Sequence, residues 1–234
     1  WRDLSSDASP NHYFNEYYHN PYFIKDRSRS TGYSDDIFAQ VDFSLKITSW
    51  LTAIYRASTT NNVSDYKNTA EAFVFSDYAK NVTHKYNASN NLTAGVSDGS
   101  SRSNRITSDF FLTAQKNIGD FSIDGLLGHS FRQTTAKSIG ISGSNLIIPD
   151  LYNVGNRTGE PGASESNSRS RLMGLFGKIG FGYKNWAFLE VTARNDWDSR
   201  LPVAHQDYFF PGASASVVLS DAIPLIKTSS VISY

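Results

Sequence analysis

The chain has 234 residues, with 22 Lys plus Arg against 22 Asp plus Glu, so it carries neither the basic excess of a nucleic-acid binder nor an acidic tail. It contains no Cys, which excludes disulfides, zinc-thiolate sites and cysteine nucleophiles together, and its 14% aromatic content is too high for a disordered chain. Mean hydropathy is −0.39 and no stretch approaches the 18 apolar residues of a membrane helix, a balance that suits an all-β protein with polar loops or strands that hide half their polarity in a barrel lumen.

In chain order, the first strand reads from Asp36 to Ile47. Ile37, Ala39, Val41, Phe43, Leu45 and Ile47 alternate with Gln40, Asp42, Ser44 and Lys46. This run is longer than the five or six residues of an ordinary strand and matches the roughly nine to eleven of a tilted membrane-spanning one. After Thr48-Ser49, a second strand covers Trp50–Ser58, with Leu51, Ala53, Tyr55 and Ala57 on one face. Thr52, Arg56 and Ser58 share the other with Ile54, an apolar exception. A third spans Arg105 to Lys116, where Ile106, Phe110, Leu112 and Ala114 oppose Thr107, Asp109, Thr113 and Gln115. Asn117–Asp120 is a tight turn with Gly119 where positive φ is useful. The fourth strand runs from Phe121 to about Thr135, alternating Phe121, Ile123, Leu127 and Phe131 with Ser122, Asp124, Ser130 and Arg132. The fifth, Arg171–Tyr183, sets Met173, Leu175, Ile179, Phe181 and Tyr183 against Gly174, Phe176, Lys178, Gly180 and Gly182. Lys184-Asn185 turns into the sixth, Trp186–Arg194, where Ala187, Leu189, Val191 and Ala193 oppose Glu190, Thr192 and Arg194. The seventh covers Gly212–Ser220, and a truncated eighth follows Lys227. No segment reads as a helix. Trp1 opens the chain without a signal segment and Ser229–Tyr234 reads as a strand cut short, so an internal piece of a longer polypeptide is expected.

The connections alternate in length: short at 48–49, 117–120 and 184–185, long at 59–104, 136–170 and 195–211. Short turns at one end and long loops at the other mark an outer-membrane barrel, and Trp50, Phe121, Tyr183 and Trp186 gather beside the short turns as an interfacial girdle would. The alternatives are a secreted β-sandwich that serves as a binding module, and a passive porin without energy coupling.

No catalytic constellation is found and no cofactor is expected. His12, His19, His84, His129 and His205 lie far apart without metal-ligand spacing. Gly177, Gly180 and Gly182 sit inside a strand with no helix after it, so they are no dinucleotide fingerprint. A close approach by another backbone, from a plug or loop, is the expected reason for them. Asp196 and Asp198 read as a charged loop base rather than a glycosidase pair. The Asn-x-Ser/Thr sequences at Asn62, Asn81, Asn87, Asn91 and Asn156 read as Asn-rich loops rather than glycosylation sites.

Four motifs carry a family resemblance: Asn20-Pro21-Tyr22-Phe23, Pro149-Asp150-Leu151-Tyr152-Asn153, Phe176-Gly177-Lys178 through Arg194-Asn195-Asp196, and Phe210-Pro211-Gly212-Ala213-Ser214. In this order and spacing the chain resembles the SusC/RagA family of TonB-dependent outer-membrane transporters of Bacteroidota. It departs from the family at Trp197-Asp198-Ser199-Arg200-Leu201, where Gly-Ser-Ser usually follows Arg-x-Asp. The resemblance implies an all-β transmembrane antiparallel barrel of 22 strands around an N-terminal plug. Residues 1–234 would supply seven or eight of the strands, with the plug and the rest outside this chain. It further implies a Gram-negative outer-membrane site and energised uptake of a bulky glycan or peptide. The expected partners are the TonB complex, acting through segments outside this chain, and a SusD-like surface lipoprotein that covers the mouth.

The lumen-facing candidates for solute contact are Asp42, Lys46, Arg56, Asp109, Asp124, Arg132, Lys178, Glu190 and Arg194. Tyr208, Phe209 and Phe210 are extracellular aromatics suited to stacking on solute or to an upper girdle. Ile147 and Ile148 are apolar in a polar loop and are expected to anchor either the lipoprotein interface or the loop's own core.

Overall fold

The structure, a computed structural model, describes residues 21–77, 80, 81 and 91–223. The strands are β1 (Ser28–Lys46), β2 (Leu51–Ala70), β3 (Gly95–Ile118), β4 (Phe121–Ser144), β5 (Gly162–Tyr183), β6 (Ala187–Asp198) and β7 (Asp207–Val217). They form one seven-stranded antiparallel sheet in chain order, β1 through β7. It is the one sheet among the described residues. The expected eighth strand lies outside the described residues, as do His12, His19 and His84.

All seven strands depart from the expected bounds: β6 continues past Arg194 to Asp198, and β7 runs Asp207–Val217, starting before Gly212 and ending before Ser220, where α2 follows. The other five are longer by more: β1 starts at Ser28, β2 continues to Ala70, β3 starts at Gly95, β4 continues to Ser144 and β5 starts at Gly162. The added stretches are rich in Ser, Thr and Asn and were expected to be loops. A ladder needs only backbone partners, and where both faces are wet no apolar alternation is required to keep them. The true connections shrink to 71–94, 145–161 and 199–206, and the short–long alternation persists. The absence of helix is also corrected. Helix α1 (Pro21–Arg27) precedes β1, with Pro21 at its first position, where the missing N–H costs nothing, and Lys25 and Arg27 in its last turn. A 3-10 turn (Val203–His205) and a single-turn helix α2 (Leu219–Ala222) flank β7.

The residues form two compact units, each taking part of the strands: Asn62–Ser103 and Ala136–Asn167 with the chain up to Asp36, and Ile37–Asn61 and Asn104–Thr135 with the chain from Ser168. In the first unit, Phe23 of α1 meets Phe73 edge-on at 4.9 Å, and Phe73 meets Phe75 at 5.2 Å. Phe73 is bridged to Leu92 by a pair of backbone hydrogen bonds. Phe23, Phe75 and Val96 are the buried apolar side chains among the described residues.

In the second unit the strands turn tightly. Gly119 has φ +59°, and Lys184 and Asn185 both take left-handed backbone at φ 49° and 59°. This is the twist that matches a two-residue hairpin turn. Trp186 N donates to Tyr183 O across that turn at 3.1 Å. Beside it Phe121 packs on Tyr183 at 5.0 Å and Tyr183 on Trp186 at 5.8 Å. Lys116 lies over the Trp50 ring at 5.8 Å and Lys184 over Tyr183 at 5.3 Å. The two ammonium groups over these ring faces are cation–π contacts that gather beside the short turns. Ile37, Val41, Phe43, Leu45, Ile179 and Val191 all remain exposed. An apolar sheet face left so bare needs a non-aqueous neighbour.

Candidate functional site

The face opposite those apolar residues is built by strict period-two geometry. Ile179 pairs with Val191 and Val191 with Ala213, while Gly180 pairs with Glu190 and Glu190 with Ser214. The register therefore holds the apolar and polar sets on opposite faces across β5, β6 and β7.

Most of the candidate charged residues meet on the polar face. Arg56 Nε donates to Asp42 Oδ1 at 2.6 Å, and Gln40 Nε2 to Asp42 Oδ2 at 2.7 Å. Ser130 Oγ donates to Asp109 Oδ1 at 2.6 Å. Lys178 Nζ lies 3.1 Å from Glu190 Oε2 and 3.5 Å from Asp124 Oδ2, linking β4, β5 and β6. Arg194 Nε donates to both carboxylate oxygens of Asp196 at 2.9 and 2.8 Å, and its guanidinium lies over the Phe176 ring at 4.9 Å. Lys46 is exposed at the end of β1 and is not joined to these pairs. Arg132 is likewise separate, in a cleft with Arg105 and Arg200. These pairs are half exposed, so solvent screens them and their effect is on the polarity of the face rather than on stability.

The strand glycines were expected to admit another backbone. At Gly180 the space where a Cβ would stand is taken by the Asp124 carboxylate, and at Gly128 by the Phe176 ring. Gly128 thereby lets Phe111 and Phe176 meet edge-on at 6.1 Å. Gly177 does face a backbone, the Leu126 carbonyl, at 3.2 Å from the ideal Cβ position. Of the three glycines for which a plug or loop backbone is expected, Gly180 and Gly182 instead face side chains, those of Asp124 and Ser122, and Gly177 faces the carbonyl of Leu126 in the adjacent strand.

The three extracellular aromatics do not act as one group. Tyr208 pairs with Asp196 and Phe210 with Arg194 on the polar face, where their rings stack at 6.5 Å. Phe209 pairs with Asn195 on the other face. Asp196 and Phe176 were not among the expected site residues, although Asp196 lies two residues from Arg194 and must share its face.

In the first unit, the connection 145–161 is organised by Asn156, which is only 9% exposed. Its Nδ2 donates to Ile148 O at 2.8 Å and Leu151 O at 2.7 Å, and its Oδ1 accepts from Ile148 N at 3.0 Å. Asn145 and Asp150 take positive φ, and Thr158 N closes the loop on Asn145 O at 3.2 Å. Ile147 and Ile148 point outward, 64% and 55% exposed, so they do not form the loop's own core. Burial holds the Tyr152 hydroxyl above its usual range, with Glu71 adding to it, and desolvation lowers Arg27 in the same neighbourhood. This places the Leu-Tyr motif of the loop in the electrostatic reach of the helix that carries Pro21-Tyr22-Phe23. Hydrogen bonds from Asn167 and Lys137 hold Glu165 below the usual carboxylate range, and Arg200 holds Asp198 down to about 2.

No protein-family model matches the chain, and no curated protein does. Solved structures do. The RagAB peptide importer in its open-open state matches with a TM-score of 0.77 at 14% identity, over 96% of this chain and 24% of that one. A structure of the RagAB peptide transporter matches at 0.75 and 13% identity, over 90% and 22%. The closed-closed state of the importer matches at 0.70 and 15%, over 91% and 22%. The chain thus spans about a quarter of the length of the transporter chains it resembles. What the likeness shows is the fold: this chain is built as a stretch of the β-sheet of a RagAB transporter chain, the kind of segment that its resemblance to the SusC/RagA family implied.

Proposed function

We propose that the chain is part of the barrel of an outer-membrane TonB-dependent importer, in which the apolar face meets lipid and the polar face lines the solute path. The other strands of the 22-stranded barrel, its plug and the segment that meets TonB belong to the remainder of the polypeptide. The carrying observation is one sheet whose register holds apolar and polar faces apart while short and long connections alternate. In such a barrel no bond of the solute changes. The solute binds at the outer mouth and is released when the plug is pulled, a shift in populations driven from outside. Asp42, Lys46, Arg56, Asp109, Asp124, Arg132, Lys178, Glu190 and Arg194 are the lumen candidates, and Tyr208 and Phe210 the stacking pair. RagAB proteins are peptide importers. A peptide therefore stands beside a glycan as the solute.

A SusD-like lipoprotein is the proposed partner at the long loops. β4 has 24 residues, and about nine to eleven suffice to cross the hydrocarbon. The chain following the tight turn at Gly119 is past lipid well before Asn145, so Ile147 and Ile148 suit a protein surface rather than acyl chains. The test is made in the organism that produces the protein. Uptake of a labelled oligosaccharide or peptide should stop when the TonB complex is deleted, and a surface lipoprotein should co-purify in mild detergent. Uptake that persists without TonB would indicate a passive porin and overturn the reading.

A further inference from the structure

In the second unit, Arg105, Arg132, Arg171 and Arg200 line one cavity of about 140 Å³, together with the hydroxyl-bearing Thr134 and Ser170. Asp198 is the one carboxylate in this lining, and it is already engaged. Arg200 grips it through Nε and Nη2, and the backbone N of Arg200 donates to it at 2.9 Å. Arg171 gives its Nε to Gln133 Oε1 at 2.8 Å, and both alternate with Arg132 and Ser170, so this guanidinium lies on the opposite face and takes no part in the cleft's charge. Among the described residues, no carboxylate stands within ion-pair distance of Arg105 or Arg132. Like charges focused in a cleft raise the local concentration of counter-ions, and a guanidinium presents a planar fork that matches an oxyanion. With a water's share of the liquid at about 30 Å³, the cavity holds roughly four or five waters, or one carboxylate or phosphate group.

The position narrows the source of the anion. Arg132 shares its strand face with Asp124 and Ser130, opposite Leu127 and Phe131. A lipid phosphate would approach from the apolar face and would not meet it. We infer that Arg105, Arg132 and Arg200 form a binding site for an oxyanion, a carboxylate or phosphate carried by the solute, on the reading that the polar face lines the solute path. Thr134 and Ser170 would add hydroxyl donors, and Asp198 would fix Arg200 in place rather than compete for the ligand.

The experiment uses the full-length protein purified from outer membranes in detergent. Citrate and inorganic phosphate are titrated separately at constant ionic strength set with chloride, and followed by calorimetry. Saturable binding of either one is expected, and which one binds identifies the carboxylate or phosphate source. The double variant Arg105→Gln, Arg132→Gln should weaken that binding at least about tenfold. Lys137→Gln, a cation paired with Glu165 outside the cleft, should leave it unchanged. Should the Gln variant not fold, Arg105→Lys with Arg132→Lys decides. It keeps the charge but lacks the fork, so weaker binding supports the site and equal binding overturns it. If the unaltered protein binds neither anion, or the Gln variant binds as tightly, the site is refuted. A lower melting temperature of the Gln variant without anion binding would instead assign the two arginines to carboxylates elsewhere in the polypeptide. A protein that imports its solute yet binds neither anion loses this site and keeps the importer reading. One that binds anion but needs no TonB complex for uptake does the reverse.

Discussion

Two polar side chains hold the connections in shape, and their chemistry sets what each should do when removed. The Asp198 carboxylate is held at about 2 by hydrogen bonds from Arg200, below its ordinary 3.8, and is only 13% exposed. A depressed carboxylate stabilises the folded state above its ordinary value and stops doing so as pH falls through the folded one. The turn at 199–206 should therefore loosen between about pH 4 and pH 2, read as faster amide exchange at Ser199 and Leu201. Asp198→Asn should bring that loosening to neutral pH, at a cost of about 1 kcal/mol after allowance for solvent screening. Asn156 is the stronger case because its amide satisfies three backbone groups inside the loop. Asn156→Ala should leave those groups unpaired and cost about 1–3 kcal/mol of loop stability. Exchange at Ile148 would rise while exchange in β5 stays slow. Ile147→Ser changes no such bond and should leave the loop's exchange as it is. If Asn156→Ala were silent in exchange, the loop would owe its shape to something other than that amide.

At the scale of the strand, the register makes a sharp demand. Leu112 sits seven residues before Gly119 on the apolar face of β3, near the middle of the spanning stretch on the importer reading. Arg at such a lipid-facing midpoint costs about 2–4 kcal/mol, and far less in a watery lumen. In the full-length protein, Leu112→Arg should therefore lower the yield of folded barrel, measured as the fraction resisting heat denaturation on a gel. Glu190→Arg should be tolerated better. It would lose the Lys178 contact, but Lys178 retains Asp124. Equal tolerance of both would mean that the two faces do not differ in solvent. This part of the fold was legible because the alternation of Ile106, Phe110 and Leu112 with Thr107 and Asp109 encodes it directly. The outer parts of β2, β3, β4 and β5 were not, because Ser- and Asn-rich strands wet on both faces carry no period. Helix α1 was missed for another reason: seven residues give too few turns for an apolar stripe to declare itself. The site was half legible. Parity placed Lys178, Glu190 and Arg194 on one face. The meeting of Lys178 with Asp124 depends on Gly180 leaving room, a fact of pairing between strands distant in sequence.

For the molecule as a whole, the question is what solvent this sheet requires. A water-soluble chain of this length buries a continuous core, yet the buried apolar side chains among the described residues are Phe23, Phe75 and Val96. Exposed instead are Ile37, Phe43, Leu45, Leu175, Ile179 and Val191, repeated at every second position along their strands. Burying such side chains is worth about 1.5–3 kcal/mol each, and neither water nor a second layer of the described chain supplies that. Among the described strands, β1 and β7 each have a single neighbour. Their outer backbone groups then need partners too, because hydrocarbon offers no hydrogen bonds and an open edge in water invites association. Residues 1–234 expressed alone in water should therefore aggregate, and in detergent micelles should lack a cooperative melting transition. The full-length barrel should melt cooperatively in the same detergent. Circular dichroism against temperature, with sedimentation to report size, reads both. A soluble monomer of residues 1–234 with a single sharp transition would mean that the apolar face finds its cover within the segment, and the membrane assignment would fall with it.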